Sequence, residues 1–252
     1  MLRYTDVICM QFIRKTTKIK LKILNEGKHY IAIFKPFNTI VVSPDFGFSE
    51  PTLLDLARHQ FGKNILPVHR LDRATSGCCL FAKTQFGQCA LNDLFKKHLV
   101  NKIYIAIVEG SPDFKKVSVN KKLKRIINSK AKHHTHQTIS SDENGEKSLT
   151  NFKLLSTNNN FSLIKANPIT GKMHQIRIHL SYLGFPILGD KLYGSKFSYF
   201  PNAIALHAYS INFFPPEGGN RNEIIAQPDK YFTSLAKKHS LRQLKLNEFR
   251  HI

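Results

Sequence analysis

A chain of 252 residues with 38 lysines and arginines against 17 aspartates and glutamates is long enough for one large core, and its formal charge of +21 would repel itself without a polyanion nearby. Nucleic acid fits that balance better than an anionic membrane surface, because no long basic amphipathic helix is there to lie on one. VICMQFI near the start is too short to span a bilayer and lacks a small-residue cleavage site, and Cys9, Cys78, Cys79 and Cys89 show no paired spacing, so a reducing, cytoplasmic setting is expected.

In chain order, KIKLKIL sets Ile19, Leu21 and Ile23 against Lys18, Lys20 and Lys22, the two-residue period of a half-buried strand. HYIAIF and TIVVS predict two more strands. PTLLDLARHQFG then predicts a helix with Thr52 as N-cap, Asp55 three residues on, Leu53, Leu56 and Ala57 on an apolar face that Gln60 interrupts, and Gly62 as the stop. GCCLFA is a strand in which Cys78 and Cys79 pack as small hydrophobes. Thr84 caps a second helix, with Phe86, Ala90, Leu94 and Phe95 as its recurring apolar residues.

IYIAIV follows as a strand, with Tyr104, Ala106 and Val108 on one face and Ile103, Ile105 and Ile107 on the other. Residues 120–147 carry much charge and little apolar periodicity, which predicts a long surface excursion. His133, His134 and His136 within it have no cysteine or carboxylate at ligand spacing, so a solvated or RNA-facing loop is expected and no metal site. FSLIKA is a further strand. Residues 174–183 read as a helix closed by Gly184, although the alternation of Ile176, Ile178 and Leu180 also permits a strand. A short terminal helix begins at Asp229. Many strands, few helices and no regular βαβ repeat predict an α+β domain, a mostly antiparallel sheet with helices to one side.

Three stretches carry candidate chemistry. HRLDRATSG places one acid, Asp72, between Arg70 and Arg73, in a loop whose Thr75 and Ser76 hydroxyls can hold a tight turn. Taken alone, Asp72 could as well cap that turn or pair with an arginine. On the predicted helix, His174 and Arg177 lie one turn apart on a polar edge, from which an arginine can reach an acid of another segment. Tyr104 has small neighbours that leave room for its ring to lie on a flat partner, or it is a core tyrosine.

Together HRLDRATSG, KIYIAIVEG and TGKMHQIRIHLSYLGFPILGDKLYG, with Lys35-Pro36 before them and GEKSLTNFKLL between, resemble the RluA-type pseudouridine synthases, in that family's order and from about residue 22 to about residue 215. The resemblance implies a single α+β catalytic domain with a central mixed or mostly antiparallel sheet, acting on uridine in RNA without cofactor or metal. It implies Asp72 as the catalytic carboxylate, Tyr104 as the aromatic residue packed on the target uracil, and Arg177 as the basic partner of the aspartate. Ala74, Lys172 and the Phe37-Asn38 pair depart from the family's usual residues without touching that trio. Lysine at 172 offers a phosphate only a point charge.

The expected division is an N-terminal extension over 1–21, the catalytic domain over 22–228 and a helical tail over 229–252. Arg70, Arg73, Lys172 and His174 are the expected RNA contacts. Structured RNA, either tRNA, rRNA or both, is the expected partner of a monomer. The alternative from another class is a non-catalytic RNA-binding or ribosome-assembly factor on the same scaffold, which explains the charge equally but does not require Asp72. A metal-dependent nuclease using the histidines would instead cut strands and respond to chelators.

Overall fold

Eleven strands join in one mixed sheet in the computed structural model, which describes residues 20–43, 50–127, 135–139, 145–198 and 203–241. The strands are β1 (Ile23–Glu26), β2 (Tyr30–Lys35), β3 (Leu66–Pro67), β4 (Ser76–Ala82), β5 (Asn101–Glu109), β6 (Lys116–Ile127), β7 (Thr135–Ile139), β8 (Glu146–Thr157), β9 (Phe161–Pro168), β10 (Leu206–Phe213) and β11 (Asn222–Ile225). The helices are α1 (Leu53–Phe61), α2 (Gln85–Lys96), α3 (Gln175–Tyr182) and α4 (Lys230–Lys238). Strand order is β1-β2-β4-β10-β5-β9-β8-β6-β7, with β3 added to β4 and β11 to β10. The expected α+β class holds.

Among the named strand pairings, β4 with β10 is parallel and the others are antiparallel. That parallel contact is short, His207 opposite Ser76 and Ala208 opposite Gly77, and it brings the strand after the Asp72 loop to the centre of the sheet. It requires glycine at 77. The residue has φ of +120°, and a Cβ there would lie 2.2 Å from the Ala208 carbonyl oxygen. Ser76 and His207 reinforce the pairing. The His207 Nε2 faces the Ala226 carbonyl at 2.9 Å and must donate to it, which leaves Nδ1 to accept from the Ser76 hydroxyl at 2.8 Å.

Local signals explain most element ends. Thr52 and Asp55 form the reciprocal capping box of α1, and Gly62 ends the helix at φ of +106°. The apparently misplaced Gln60 accepts the Leu21 N–H at 2.8 Å, so its polarity serves the segment that leads into β1. Thr84 caps α2 and Asp229 caps α4. Cys78 and Cys79 are buried free thiols. Tyr231, Phe232 and Leu235 of α4 pack into the same cluster as Ile105, Ile107 and Leu163, a continuous core beneath β5 and β9.

Four expectations change. TIVVS forms no strand, because the Ile40 and Val41 carbonyls accept the Leu53 and Leu54 N–H groups and so satisfy the open first turn of α1. The alternation of KIKLKIL fails at a register shift between Ile23 and Asn25, which leaves Ile23 exposed while Leu21 is buried; Ile19 lies outside the described residues. Helix α2 buries Gly87 and Leu91, whereas Phe86 is exposed, since Gly87 meets the His29 carbonyl too closely to carry a side chain. Most of 120–147 is strand: β6 pairs with β8 along its first eight residues and with β7 along its last five, and backbone pairing replaces the missing apolar periodicity. His136 sits on β7, and His133 and His134 lie outside the described residues. No helix among the described residues is long and apolar enough to cross a membrane.

Candidate active site

Asp72 lines a cavity of about 430 Å³ between the β3–β4 loop, the end of α2, the β5 face that bears Tyr104, and the start of α3. The loop is pinned residue by residue. Leu71 is buried in the cluster beneath α1, Arg70 is exposed at the cavity, and the Thr75 N–H closes a turn on the Asp72 carbonyl at 3.1 Å. Lys35 of β2 is fully buried below it, and its ammonium donates to the carbonyls of Thr75 at 2.6 Å, Pro36 at 3.0 Å and Arg73 at 3.2 Å. Burial draws the Lys35 pKa down to about 7, while Cys79 and Asp72 pull it upward. One side chain thus ties strand β2 to both sides of the Asp72 turn.

Helix α3 is held as firmly. Every residue from Gln175 to Leu180 is buried, so the polar edge expected for Arg177 is an interior position. Gln175 donates to the Leu149 carbonyl and the Thr150 hydroxyl and accepts from Thr170 and from the Lys172 N–H. Ser148 gives its proton to the Lys121 carbonyl, so His179 Nε2 donates to Ser148 and its Nδ1 accepts from Thr150. Burial lowers the His179 pKa to about 4, which agrees with a neutral ring. Polar residues at 175, 177 and 179 alternate with apolar ones because each meets its own partner, and the result imitates a strand pattern.

Between those two anchors Arg177 reaches the cavity. Its Nε and Nη2 form a bidentate pair with Asp190 at 2.7 and 2.8 Å, and its Nη1 extends to Asp72 Oδ2 at 3.4 Å. Burial by itself would lower the Arg177 pKa, but the hydrogen bonds and charge of Asp190, then Asp72 and Tyr193, more than offset it and leave it raised. The guanidinium also lies over the Tyr193 ring at 5.0 Å. His174, in the left-handed region at φ of +57°, meets the Tyr193 hydroxyl at 2.8 Å and stands 3.9 Å from Asp72 Oδ2.

Tyr104 lines the cavity with its ring, and burial followed by the nearby Asp72 charge pushes its pKa up, so its hydroxyl is protonated near neutral pH. Asp72, Tyr104 and Arg177, expected from three distant stretches, therefore share one cavity. Arg70, Lys172 and His174 line it as well, with Lys172 paired to Glu146 at 2.8 Å. Arg73 points elsewhere, to Asn38 at 2.9 Å and Glu50 at 2.8 Å, and is not a lining residue.

Sequence reasoning missed Asp190, Lys35, Lys102 and His69. Asp190 carried a usable signal, a lone acid after a glycine in a basic chain. Lys102 and His69 line the cavity without a charged partner among the described residues, and burial draws the lysine down to about 8 and the histidine to about 3, Lys102 adding to the latter. His69 Nε2 accepts the Leu80 N–H at 2.8 Å, which requires the neutral ring.

A family model for RNA pseudouridylate synthase matches residues 29–182. The chain is 38% identical over 214 residues to the ribosomal large subunit pseudouridine synthase C of Rickettsia typhi, covering 84% of this chain and 69% of that one. It is 34% identical over 204 residues to an uncharacterized RNA pseudouridine synthase of Bacillus subtilis, covering 78% and 65%. The solved structure of human RNA pseudouridylate synthase domain containing 1 superposes with a TM-score of 0.70 at 25% identity over 86% of each chain. A mixed sheet carrying an acid, a tyrosine and an arginine in one cleft is thus the frame of an RNA-modifying isomerase. The chain belongs to the RluA-type RNA pseudouridine synthases.

Proposed function

We propose that this protein converts a specific uridine of a structured RNA into pseudouridine, with Asp72 as the catalytic carboxylate, Arg177 as its basic partner and Tyr104 as the ring on which the uracil lies. The observation that carries the reading is the reach of Arg177, fixed by Asp190, to Asp72 at 3.4 Å inside a cavity lined by Tyr104. The reaction breaks the bond from ribose carbon 1 to uracil N1 and forms one from carbon 1 to uracil carbon 5. Carbon 5 loses a proton and N1 gains one, so nothing is consumed.

A carboxylate beside carbon 1 can act on the electron-poor sugar, either as a nucleophile or by removing the neighbouring carbon 2 proton. A flat ring below holds the detached base by stacking while it turns. Extrusion of the uridine from its stack is needed first, and exposed Arg70 at the cavity mouth is placed to fill the gap. Lys172 and His174 supply cationic or polar contacts at the rim, and Arg73 serves the loop through Asn38 and Glu50. Large-subunit ribosomal RNA is the first substrate to test, because the Rickettsia relative carries that name, with tRNA alongside. A cytoplasmic setting belongs to the same reading, supported by the free thiols of Cys78, Cys79 and exposed Cys89.

The decisive experiment is Asp72→Asn assayed by tritium release from RNA labelled at uracil carbon 5. The variant should keep RNA binding and lose release by at least about a thousandfold, the scale of an essential catalytic group. Comparable release by wild type and variant would remove Asp72 from the mechanism. RNA binding without release by wild type on any RNA tested would favour the non-catalytic factor.

A further inference from the structure

A second groove of about 430 Å³ crosses the sheet on the face away from Tyr104, and its walls are basic. Its register explains the charge. Lys116 on β6 lies directly opposite Lys153 on β8, and Lys153 directly opposite Lys165 on β9, so three lysines form one row across three strands. Two residues along, Ser118, Asn151 and Asn167 form a parallel row on the same face. Lys165 is paired with Ile105, next to Tyr104 and therefore on the opposite face from it.

Like charges set opposite one another in adjacent strands destabilise a sheet, so an anion seated on such a row would relieve it. The described residues do not supply it. Among them Lys116, Lys153 and Lys165 form no ion pair, and Glu223 acts on Lys165 without an ion pair between them. Lys165 is the telling member. Only 6% of its surface is exposed, its ammonium makes no hydrogen bond to another described residue, and it lines the groove. Its stem is covered, whereas its ammonium keeps some exposure in the groove and pairs with no acid among the described residues, so it is placed to meet a ligand there. Burial and then the adjacent Lys153 press its pKa down, with Glu223 working the other way.

The groove also joins the candidate active site around the strand ends. Asn101 and Asn167 line the groove while their chain neighbours Lys102 and Pro168 line the Asp72 cavity, and Asn167 Nδ2 donates to both Asn101 Oδ1 and the Lys102 carbonyl. Ser118 donates to Asn151 Oδ1, which leaves the Asn151 amide N–H groups for a ligand. We propose that this groove is a second RNA-binding site, which takes the phosphodiester backbone of the same folded RNA whose target uridine enters the Asp72 cavity. The choice of RNA as occupant rests on the proposed function, on the net charge of the chain and on this continuity around the ends of β5 and β9.

The test compares the full chain with Lys116→Gln/Lys153→Gln, and with a control, Lys28→Gln/Lys63→Gln, that removes the same charge from exposed lysines outside both sites. Binding of an unmodified transcript of large-subunit ribosomal RNA is measured by filter retention across a salt series. Removing one lysine–phosphate pair flattens the logarithmic salt slope by about 0.7–0.9, so the groove variant should flatten it by about 1.5 and bind more weakly, while the control stays near wild type. Lys165→Met keeps the side-chain bulk; it should weaken RNA binding yet raise the melting temperature of the free protein. An unchanged slope in the groove variant, or an equal loss in the control, would overturn the proposal, as would a lower melting temperature for Lys165→Met. Binding is read without turnover, so wild type that shows the lysine effect but releases no tritium would refute the Asp72 assignment and leave the groove standing.

Discussion

Substituting Asp190 by Asn tests the least expected part of the site. Asp190 is buried, and it takes both the Nε and the Nη2 of Arg177, leaving Nη1 alone for Asp72. Removing one partner of a buried ion pair costs about 3–5 kcal/mol because the other charge stays buried; an amide keeps the shape and one acceptor, so about 3 kcal/mol is expected. With a urea dependence of about 3 kcal/mol per molar for a chain of this size, the unfolding midpoint should fall by about 1 M. The rate should fall too. A guanidinium no longer held by two parallel hydrogen bonds can swing toward Asp72, and a displacement of about 1 Å in a positioning group costs about a hundredfold. Single-turnover tritium release reads that loss, and RNA affinity should stay within about twofold because every proposed phosphate contact is kept. A midpoint within about 0.2 M of wild type, on the same urea scale, would refute Asp190 as the counter-ion. Lost stability with an intact rate would refute Arg177 as the group that positions Asp72.

Gly77→Ala should cost at least about 3 kcal/mol by chemical denaturation, because a Cβ would overlap the Ala208 carbonyl and the backbone sits at φ of +120°; Gly184→Ala, with open space around it at φ of +86°, should cost only about 1 kcal/mol. Tyr104→Phe should keep RNA binding and most of the rate, since burial keeps the hydroxyl protonated and unable to act as a base near pH 7, whereas Tyr104→Ala should lose about 1–3 kcal/mol of base stacking; a collapse of the rate in the phenylalanine variant would assign the hydroxyl a proton-transfer step. Stability should fall as the pH drops from 8 to 5. His69 and His179 have folded pKa values of about 3 and about 4 against 6.5 unfolded, so the unfolded chain binds more protons below pH 6.5 and each ring costs about 2 kcal/mol by pH 5. Urea midpoints at pH 8 and pH 5 measure this, and equal values would mean that these rings are not buried neutral.

What the sequence made legible was whatever a residue owes to its chain neighbours. Thr52 with Asp55, Thr84, Asp229 and Gly184 mark helix ends because capping acts over three or four residues, and the α+β class follows from counting such local signals. Asp72 stood out because an acid flanked by arginines is conspicuous within nine residues. The errors lie where the partner is distant. Gln60 and the TIVVS segment serve elements beyond their own, β6 is a strand through pairing with β7 and β8 despite its lysines, and Gly87 follows from the approach of His29.

The same logic governs the site. Asp190 is thirteen residues from Arg177, and Arg177 is 105 from Asp72, so no window on the chain contains the arrangement. Arg73, adjacent to Asp72 in sequence, is a corner residue of the turn that the Thr75 N–H closes on the Asp72 carbonyl, and its side chain goes instead to Asn38 and Glu50. An aspartate between two arginines is thus served by neither as its partner in the cavity, and the guanidinium that reaches it comes from a helix whose every polar residue from Gln175 to His179 is tied down. Rigid anchorage of that helix, through Gln175 and His179 to β8, is what lets a single 3.4 Å contact from Arg177 orient the Asp72 carboxylate, the group proposed to react.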